Sequence, residues 1–314
     1  MFKDAKIMFM YTETSLHCGS GSSLGVVDLP IQREKYTDYP VCQASGIKGA
    51  VREWFEETFK DNKEDEKKIA YTFGPDFEKR GEEETFAGAA TFTDGRLLLF
   101  PVRSLNGVFA YTTSRFALSR FKRDAEMAGA KDIPWIVPLE DEKKVLGIKG
   151  SSVGIATQRK VVLEEYTYDF QEMGNVAEIA KWIAANAIPK GQEYDHYWRK
   201  KVKSDLVILP DDVFRDFVKQ STEVQARIRI NNETKTVDKG ALFYEEALPS
   251  DSLLYSVVMA HDPAVDKSRR PLDLKDSNDV INFLCKLDGK RLQLGGDMTI
   301  GKGIVNLKFL NGGE

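Results

Sequence analysis

Lys6-Ile7-Met8-Phe9-Met10-Tyr11-Thr12-Glu13-Thr14 decides the fold. Ile7, Phe9 and Tyr11 share one side of an extended chain, and Met8, Met10 and Thr12 share the other. That is the period-two pattern of a strand buried on at least one face. C-terminal to it, residues 15–45 read as a long loop. It holds His17-Cys18-Gly19-Ser20-Gly21-Ser22-Ser23-Leu24-Gly25 and then Val26-Val27-Asp28-Leu29-Pro30. Loops of this length inside a compact domain tend to carry function. Ser45 reads as a helix N-cap, with Ile47, Ala50, Val51, Trp54 and Thr58 at helical spacing. Residues 61–68 read as a solvated helix end or loop. Residues 85–93 and 96–100 read as strands joined into a hairpin by Thr93-Asp94-Gly95. A helix over 113–128 stops at Gly129.

Further along, Asn175 is expected to cap a helix that stops before Pro189, and Asp211 to cap a short helix after a strand at 205–209. Residues 223–230 alternate and turn at Asn231-Asn232. A buried strand at 253–260, a helix at 278–287 and a strand at 303–310 complete the chain. This pattern predicts an α+β fold with helices on one sheet face. A ferredoxin-like, RNA-recognition-like core (a palm) interrupted by large insertions is its best match.

At 314 residues the chain is long enough for a sizeable core, and 30% charged residues with 42% hydrophobic residues suit a globular protein. No apolar run approaches the ~20 residues of a membrane span, and no secretory signal pattern opens the chain. The three cysteines have no CxxC spacing, so neither a disulfide framework nor a zinc knuckle is expected, and a reducing cytoplasm is the simpler setting. A net charge of −4 excludes a globally basic nucleic-acid binder but not a local basic groove.

Five groups of residues bear chemistry. In Ser45-Gly46-Ile47-Lys48-Gly49-Ala50-Val51-Arg52, glycines at a helix start expose backbone N–H groups to an anion, and Lys48 and Arg52 share a face. An ordinary capped helix with surface cations reads the same way. In Leu294-Gly295-Gly296-Asp297-Met298-Thr299-Ile300-Gly301-Lys302-Gly303, four glycines allow a backbone to approach a ligand closely; the plain alternative is a flexible hairpin loop. Asp28, on the long loop with His17, is a candidate general base or ligand for a hard cation, although Asp before Leu-Pro is also a common turn residue. Arg227 and Arg229 share one face of a ribbon, with Ala226, Ile228 and Ile230 on the other. Such a ribbon can follow phosphates while apolar residues wedge between bases. His196-Tyr197-Trp198-Arg199-Lys200-Lys201 sets aromatics beside cations, as does the smaller basic cluster of Lys267, Arg269 and Arg270.

Taken in order, Leu16-His17-Cys18-Gly19-Ser20-Gly21, Val27-Asp28-Leu29-Pro30-Ile31-Gln32-Arg33-Glu34, residues 40–52, residues 237–249 and the glycine-rich segment 294–303 resemble the RAMP superfamily. The spacing is most similar to the repeated backbone subunit of type III-B CRISPR (Cmr) effectors. The resemblance implies a single RAMP domain over 1–314, with a thumb-like hairpin in an inserted region at 190–250. It implies copies stacked head to tail along a guide RNA (crRNA) with other effector subunits, and cleavage of paired single-stranded target RNA with Mg²⁺ or Mn²⁺. Asp28 then matches the loop aspartate required for cutting and, as the metal's candidate ligand, shares the ion with RNA phosphate. His17 matches a histidine of the same loop. Ser45, Gly46, Lys48 and Arg52 match the guide-binding helix start, and Gly295, Gly296, Gly301, Lys302 and Gly303 the glycine-rich loop. Two other readings stand beside this one: a filament subunit that binds RNA without cutting it, and an enzyme that takes a phosphorylated small molecule.

Overall fold

β1 (Asp4–Thr12) carries the alternation into two apolar clusters. Met8 and Met10 enter one, and Ile7, Phe9 and Tyr11 the other, so the strand is buried on both faces. The computed structural model describes residues 2–75, 86–130, 133–138, 143–155, 157–231 and 233–310, without the side chains of Asp238 and Lys239. The start of the strand expected at 85 and Asn232 of the expected turn lie outside these residues. After β1 the long loop leads to β2 (Val41–Cys42) and α1 (Ala44–Thr58). There follow α2 (Lys63–Phe73), β3 (Ala90–Phe92), β4 (Gly95–Arg103), β5 (Phe109–Ser114) and α3 (Arg115–Met127). Next come β6 (Val145–Gly147), β7 (Gly154–Ile155), β8 (Lys160–Leu163), β9 (Tyr166–Glu172), α4 (Gly174–Asn186), α5 (Arg199–Asp205), β10 (Leu206–Leu209) and α6 (Asp211–Gln220). The chain then makes a ribbon of β11 (Glu223–Ile230) and β12 (Val237–Ala247) and returns through β13 (Leu253–Ala260) and α7 (Ser277–Leu284). It closes with β14 (Arg291–Gln293) and β15 (Ile304–Phe309).

Among the described residues, thirteen strands form one sheet, and β11 and β12 pair separately from it. At its centre β15, β1, β13 and β4 lie side by side, each pair antiparallel. With α1 between β1 and β4 and α7 between β13 and β15, this is the βαββαβ connectivity of a ferredoxin-like core. Residues 104–252 are inserted between its second and third strands. They extend the sheet beyond β4 and supply the β11–β12 ribbon.

α1 and α7 pack on one face of the core, where the Phe55 and Phe283 rings stack at 4.5 Å. The expectation of helices on one face alone needs correction. The insertion folds α3 and α4 onto the opposite face, where Phe121 meets Phe9 at 5.7 Å and Tyr255 at 5.1 Å. The expected hairpin at Thr93-Asp94-Gly95 is also not formed. β3 and β4 pair with the same strand, β13, Phe92 opposite Val258 and Leu97 opposite Leu254. Neither Asp94 nor Gly95 takes the positive φ that a tight two-residue turn needs.

Three expected caps are displaced. α1 is capped at Gln43 rather than Ser45, α4 at Met173 rather than Asn175, and α6 at Pro210 rather than Asp211. The Asp211 carboxylate instead accepts from the Phe116 N–H, at 2.9 Å. The charged run at 61–68 opens a full helix, α2. Asn62 caps it, and the buried Lys68 bonds Asp65 and Asp273 at 3.1 and 2.7 Å.

Candidate nucleic-acid interface

β12 is engaged on both edges. One edge takes β11, with Gln225 opposite Glu245 and Ala226 opposite Tyr244. The other takes the long loop. Leu16 and Leu248 exchange backbone hydrogen bonds of 2.8 Å, while Leu29 donates to the Tyr244 carbonyl and accepts from the Glu246 N–H, both at 3.0 Å. Beside Leu29, the Asp28 Oδ2 accepts from the Tyr244 N–H at 2.7 Å. Beside Leu16, His17 Nδ1 donates to the Glu246 carbonyl at 2.6 Å. A carbonyl only accepts, so Nδ1 carries the hydrogen and Nε2 is the nitrogen left for other chemistry. The groups that hold Asp28 and His17, the Tyr244 N–H and the Glu246 carbonyl, thus lie two residues apart on one strand edge, about 7 Å of strand rise.

The loop is also held by the Glu246 side chain. This buried carboxylate accepts from the Ile31 N–H at 3.0 Å, Arg33 Nη2 at 2.5 Å and the Thr222 hydroxyl at 2.7 Å. Arg33 spends its other donor, Nη1, on the Asp38 and Val218 carbonyls at 2.8 and 2.9 Å.

Glu245, pointing to the opposite face of β12, gathers charge. It pairs with Arg227 and with Lys302 Nζ at 3.3 Å, while Arg227 also reaches Asp297 at 3.1 Å. Burial pushes the Glu245 carboxyl up, but hydrogen bonds from Asp297, Arg227 and Lys302 outweigh it and hold the group well below the usual carboxylate range. Burial and then the neighbouring Glu245 push Asp297 the other way, so Asp297 is the carboxyl that keeps its proton longer. Lys302 is therefore buried and paired, not presented to solvent.

The glycine-rich segment rests on the His17 backbone. The Gly296 N–H donates to the His17 carbonyl at 2.9 Å, and the Gly303 N–H to the Ser15 carbonyl at 2.8 Å. Gly295 has φ +80° and a Cβ there would lie 2.4 Å from the His17 oxygen, so no other residue fits without displacement. Gly301, at φ +80°, ends a short 3₁₀ turn and has open space around it.

A cleft of about 280 Å³ joins this segment to the start of α1. Ser45, Gly46, Gly295 and Gly296 line it, together with Gln32 and Gln43. Lys48 and Arg52 are not among the lining residues. Lys48 Nζ donates to the Ala90 carbonyl at 3.1 Å, and Arg52 bonds Glu56 at 2.7 Å and the Gly74 carbonyl at 3.3 Å. Burial, then the neighbouring Arg52 charge, lowers the Lys48 pKa.

The floor of the cleft corrects an expectation about cysteine. Cys18 and Cys42 form a disulfide, with Cα atoms 5.8 Å apart, and Cys285 is free. The loop folds back on itself through the Gly19–Ile31 and Arg33–Pro40 bridges, bringing together two cysteines that the sequence holds far apart.

On the ribbon, Arg227 faces the Glu245 cluster, and Arg229, two residues on, is exposed. The opposite face exposes Val224, Ile228, Ile230, Leu242 and Tyr244. The other cationic runs serve the fold: Arg199 bonds Asp195 and the Ala185 and Ile188 carbonyls, Lys201 is buried against Asp205, and Arg270 bonds the Val265 and Lys275 carbonyls. Among the described residues no three His, Cys, Asp or Glu side chains gather as a metal site requires. Asp28, one oxygen already committed to Tyr244, does not make a protein-held site for Mg²⁺ or Mn²⁺. Sequence reading left Glu245 and Glu246 without roles and missed the part played by Asp297. The available signal was two adjacent carboxylates on an alternating strand, which must face opposite ways.

Comparison with known proteins agrees with this geometry. The profile described as the RAMP superfamily matches residues 9–306. The CRISPR system Cmr endoribonuclease Cmr4 of Pyrococcus furiosus is 41% identical over 305 residues, covering 96% of this chain and 95% of that protein. The CRISPR system CMR subunit Cmr4 of Saccharolobus solfataricus is 28% identical, covering 98% and 96%. The crystal structure of oligomeric Cmr4 from P. furiosus superposes with a TM-score of 0.71 at 33% identity, covering 98% and 97%. A ferredoxin-like core, an inserted ribbon and a glycine-rich segment seated on the backbone of the long loop, together with this similarity along the whole chain, establish that the chain belongs to the RAMP superfamily.

Proposed function

We propose that this chain is an endoribonuclease that forms the repeated backbone of a type III-B CRISPR effector in the cytoplasm. It is a single RAMP domain whose copies stack head to tail along a guide RNA, beside other subunits, and cut the paired single-stranded target at regular intervals. The observation that carries this reading is the edge of β12, which seats Asp28 and His17 together next to the glycine-lined cleft. RNA carries its nucleophile, the 2′-hydroxyl, beside each phosphodiester. The apolar face of the ribbon, Ile228 and Leu242 foremost, displaces a base and turns that hydroxyl in line with the leaving 5′-oxygen, an orientation effect. The free Asp28 Oδ1 takes the hydroxyl proton, while His17 Nε2, in its protonated state, supplies one to the leaving oxygen.

Guide RNA follows the cleft, passing close against the backbone of Ser45, Gly46, Gly295 and Gly296. The Lys48–Arg52 pair, two adjacent cations of which Lys48 bonds no carboxylate among the described residues, takes a phosphate. Any Mg²⁺ or Mn²⁺ the complex uses arrives with the RNA, its shell built from phosphate oxygens and water. In a reconstituted complex, Asp28→Asn keeps an oxygen for the Tyr244 N–H and removes the base. Target cleavage is expected to fall by about 10²–10⁴-fold with guide and target binding retained. Cleavage at the wild-type rate removes Asp28 from the mechanism and leaves a filament subunit without chemistry of its own.

A further inference from the structure

Cys42 belongs to the core and Cys18 packs against it, but the cutting chemistry uses neither. Their bond closes the whole segment that carries Asp28. Cys18 directly follows His17, and Cys42 directly precedes Gln43, the cap of α1. Both border the cleft opposite Gly295 and Gly296. We propose that Cys18–Cys42 is a redox-modification site, opened by a soluble dithiol, whose state sets target cleavage by fixing or releasing the Asp28 loop. The effect on cleavage rests on the assignment of Asp28 above.

Three observations support the site. The Cα separation of 5.8 Å suits a disulfide without backbone movement, so the pair can open and close in place. The two residues differ in access: Cys18 is half-buried at the cleft, whereas Cys42 is 2% exposed. The segment between them is exposed from Ser20 to Val26, and several of its backbone bonds are internal, including Ser20 to Pro30 and Ser23 to Asp28. Opening the bond therefore removes one of the ties that hold Asp28 against β12. In the reducing compartment of a mesophile, a disulfide that forms at all is usually a catalytic or redox-sensing one.

The exchange balances with a dithiol as reductant. Its thiolate attacks Cys18 Sγ and the S–S bond breaks. Cys42 leaves as thiolate at the amino end of α1, where the helix dipole favours it, and takes a proton from water. The second reductant thiol then displaces Cys18, releasing its thiol and the cyclic disulfide of the reductant.

The test uses the assembled complex, prepared air-oxidised or reduced with dithiothreitol and then desalted. Alkylation under denaturing conditions followed by mass measurement is expected to add one adduct to the oxidised chain and three to the reduced chain. Target cleavage is expected to fall about tenfold on reduction, with guide RNA retained and the circular dichroism unchanged. Cys18→Ser is expected to show the low rate in either condition. Three adducts without reductant, equal cleavage in the two states, or unfolding on reduction each overturn the proposal. An oxidised complex that shows the disulfide but never cuts refutes the cleavage reading itself, and the adduct count tells these failures apart.

Discussion

Removing the Glu246 carboxylate tests whether the Asp28 loop is held from below. Glu246 and Arg33 are 7% and 17% exposed at their side chains, so the pair is largely withdrawn from water. Deleting one partner of a buried pair typically costs about 3–5 kcal/mol, because the other charge is left uncompensated. Glu246→Ala also orphans the Ile31 N–H and the Thr222 hydroxyl, each worth about 1 kcal/mol. Arg33 keeps its bonds to the Asp38 and Val218 carbonyls, which softens the loss. A destabilisation of about 4 kcal/mol is expected in urea unfolding with the disulfide intact. Glu246→Gln, which retains one acceptor oxygen, should lose about half as much. Because Arg33→Met removes the same ion pair, the double variant should fall short of the summed single losses by about 1–3 kcal/mol. Target cleavage should drop with Glu246→Ala even at temperatures where the chain stays folded. Stability within about 1 kcal/mol of wild type, or strict additivity with Arg33→Met, refutes the idea that this carboxylate seats the loop.

Gly295→Ala places a Cβ against the His17 carbonyl at a positive φ, so it should destabilise by about 1–3 kcal/mol and disturb cleavage. At Gly46 the same change meets nothing within 4 Å, so the chain should unfold as wild type does; weaker guide-RNA binding, measured by filter retention, then reports how closely RNA approaches that backbone. Lys308, whose amine bonds the Ala185 and Ile188 carbonyls, is held at about 7 by burial, below its ordinary 10.5. The unfolded chain therefore binds the extra proton between these values, and the fold gains stability as pH rises through that window and loses it as pH falls through about 7. Lys308→Met should flatten that slope in unfolding midpoints taken from about pH 7 to 9, and an unchanged slope rules the residue out as its source.

The elements read most faithfully from sequence were those whose pattern is enforced by burial. The alternation at Ile7–Tyr11 and the runs that became β11 and β13 were legible because each side chain answers to one face. The caps misled, because Ser45, Asn175 and Asp211 are good cap residues whose neighbours were already extended and took the role. The hairpin at Thr93 misled because a turn signal does not say which strand will pair with the two arms; here it was β13, arriving from residues far along the chain. At the site, His17, Asp28 and the glycines were visible as residue types. Their meeting was not, since it depends on the second edge of β12. Lys302 shows the opposite failure: a lysine among glycines reads as a phosphate ligand, yet its ammonium is spent on Glu245. The Cys18–Cys42 bond was hidden because loop closure is set by the fold and not by spacing.

One strand serves as hinge post for two devices. β11 and the loop that carries Asp28 are fastened to opposite edges of β12, so ribbon and carboxylate share a single mounting. Lengthening the ribbon beyond Ile230 and Val237 changes its reach and leaves Asp28 where it is. An added residue between Tyr244 and Leu248 shifts the pairing frame, turns every following side chain over and pulls the Asp28 loop out of register with β12. Changes of length that keep Asp28 in register are thus confined to the tip of the ribbon.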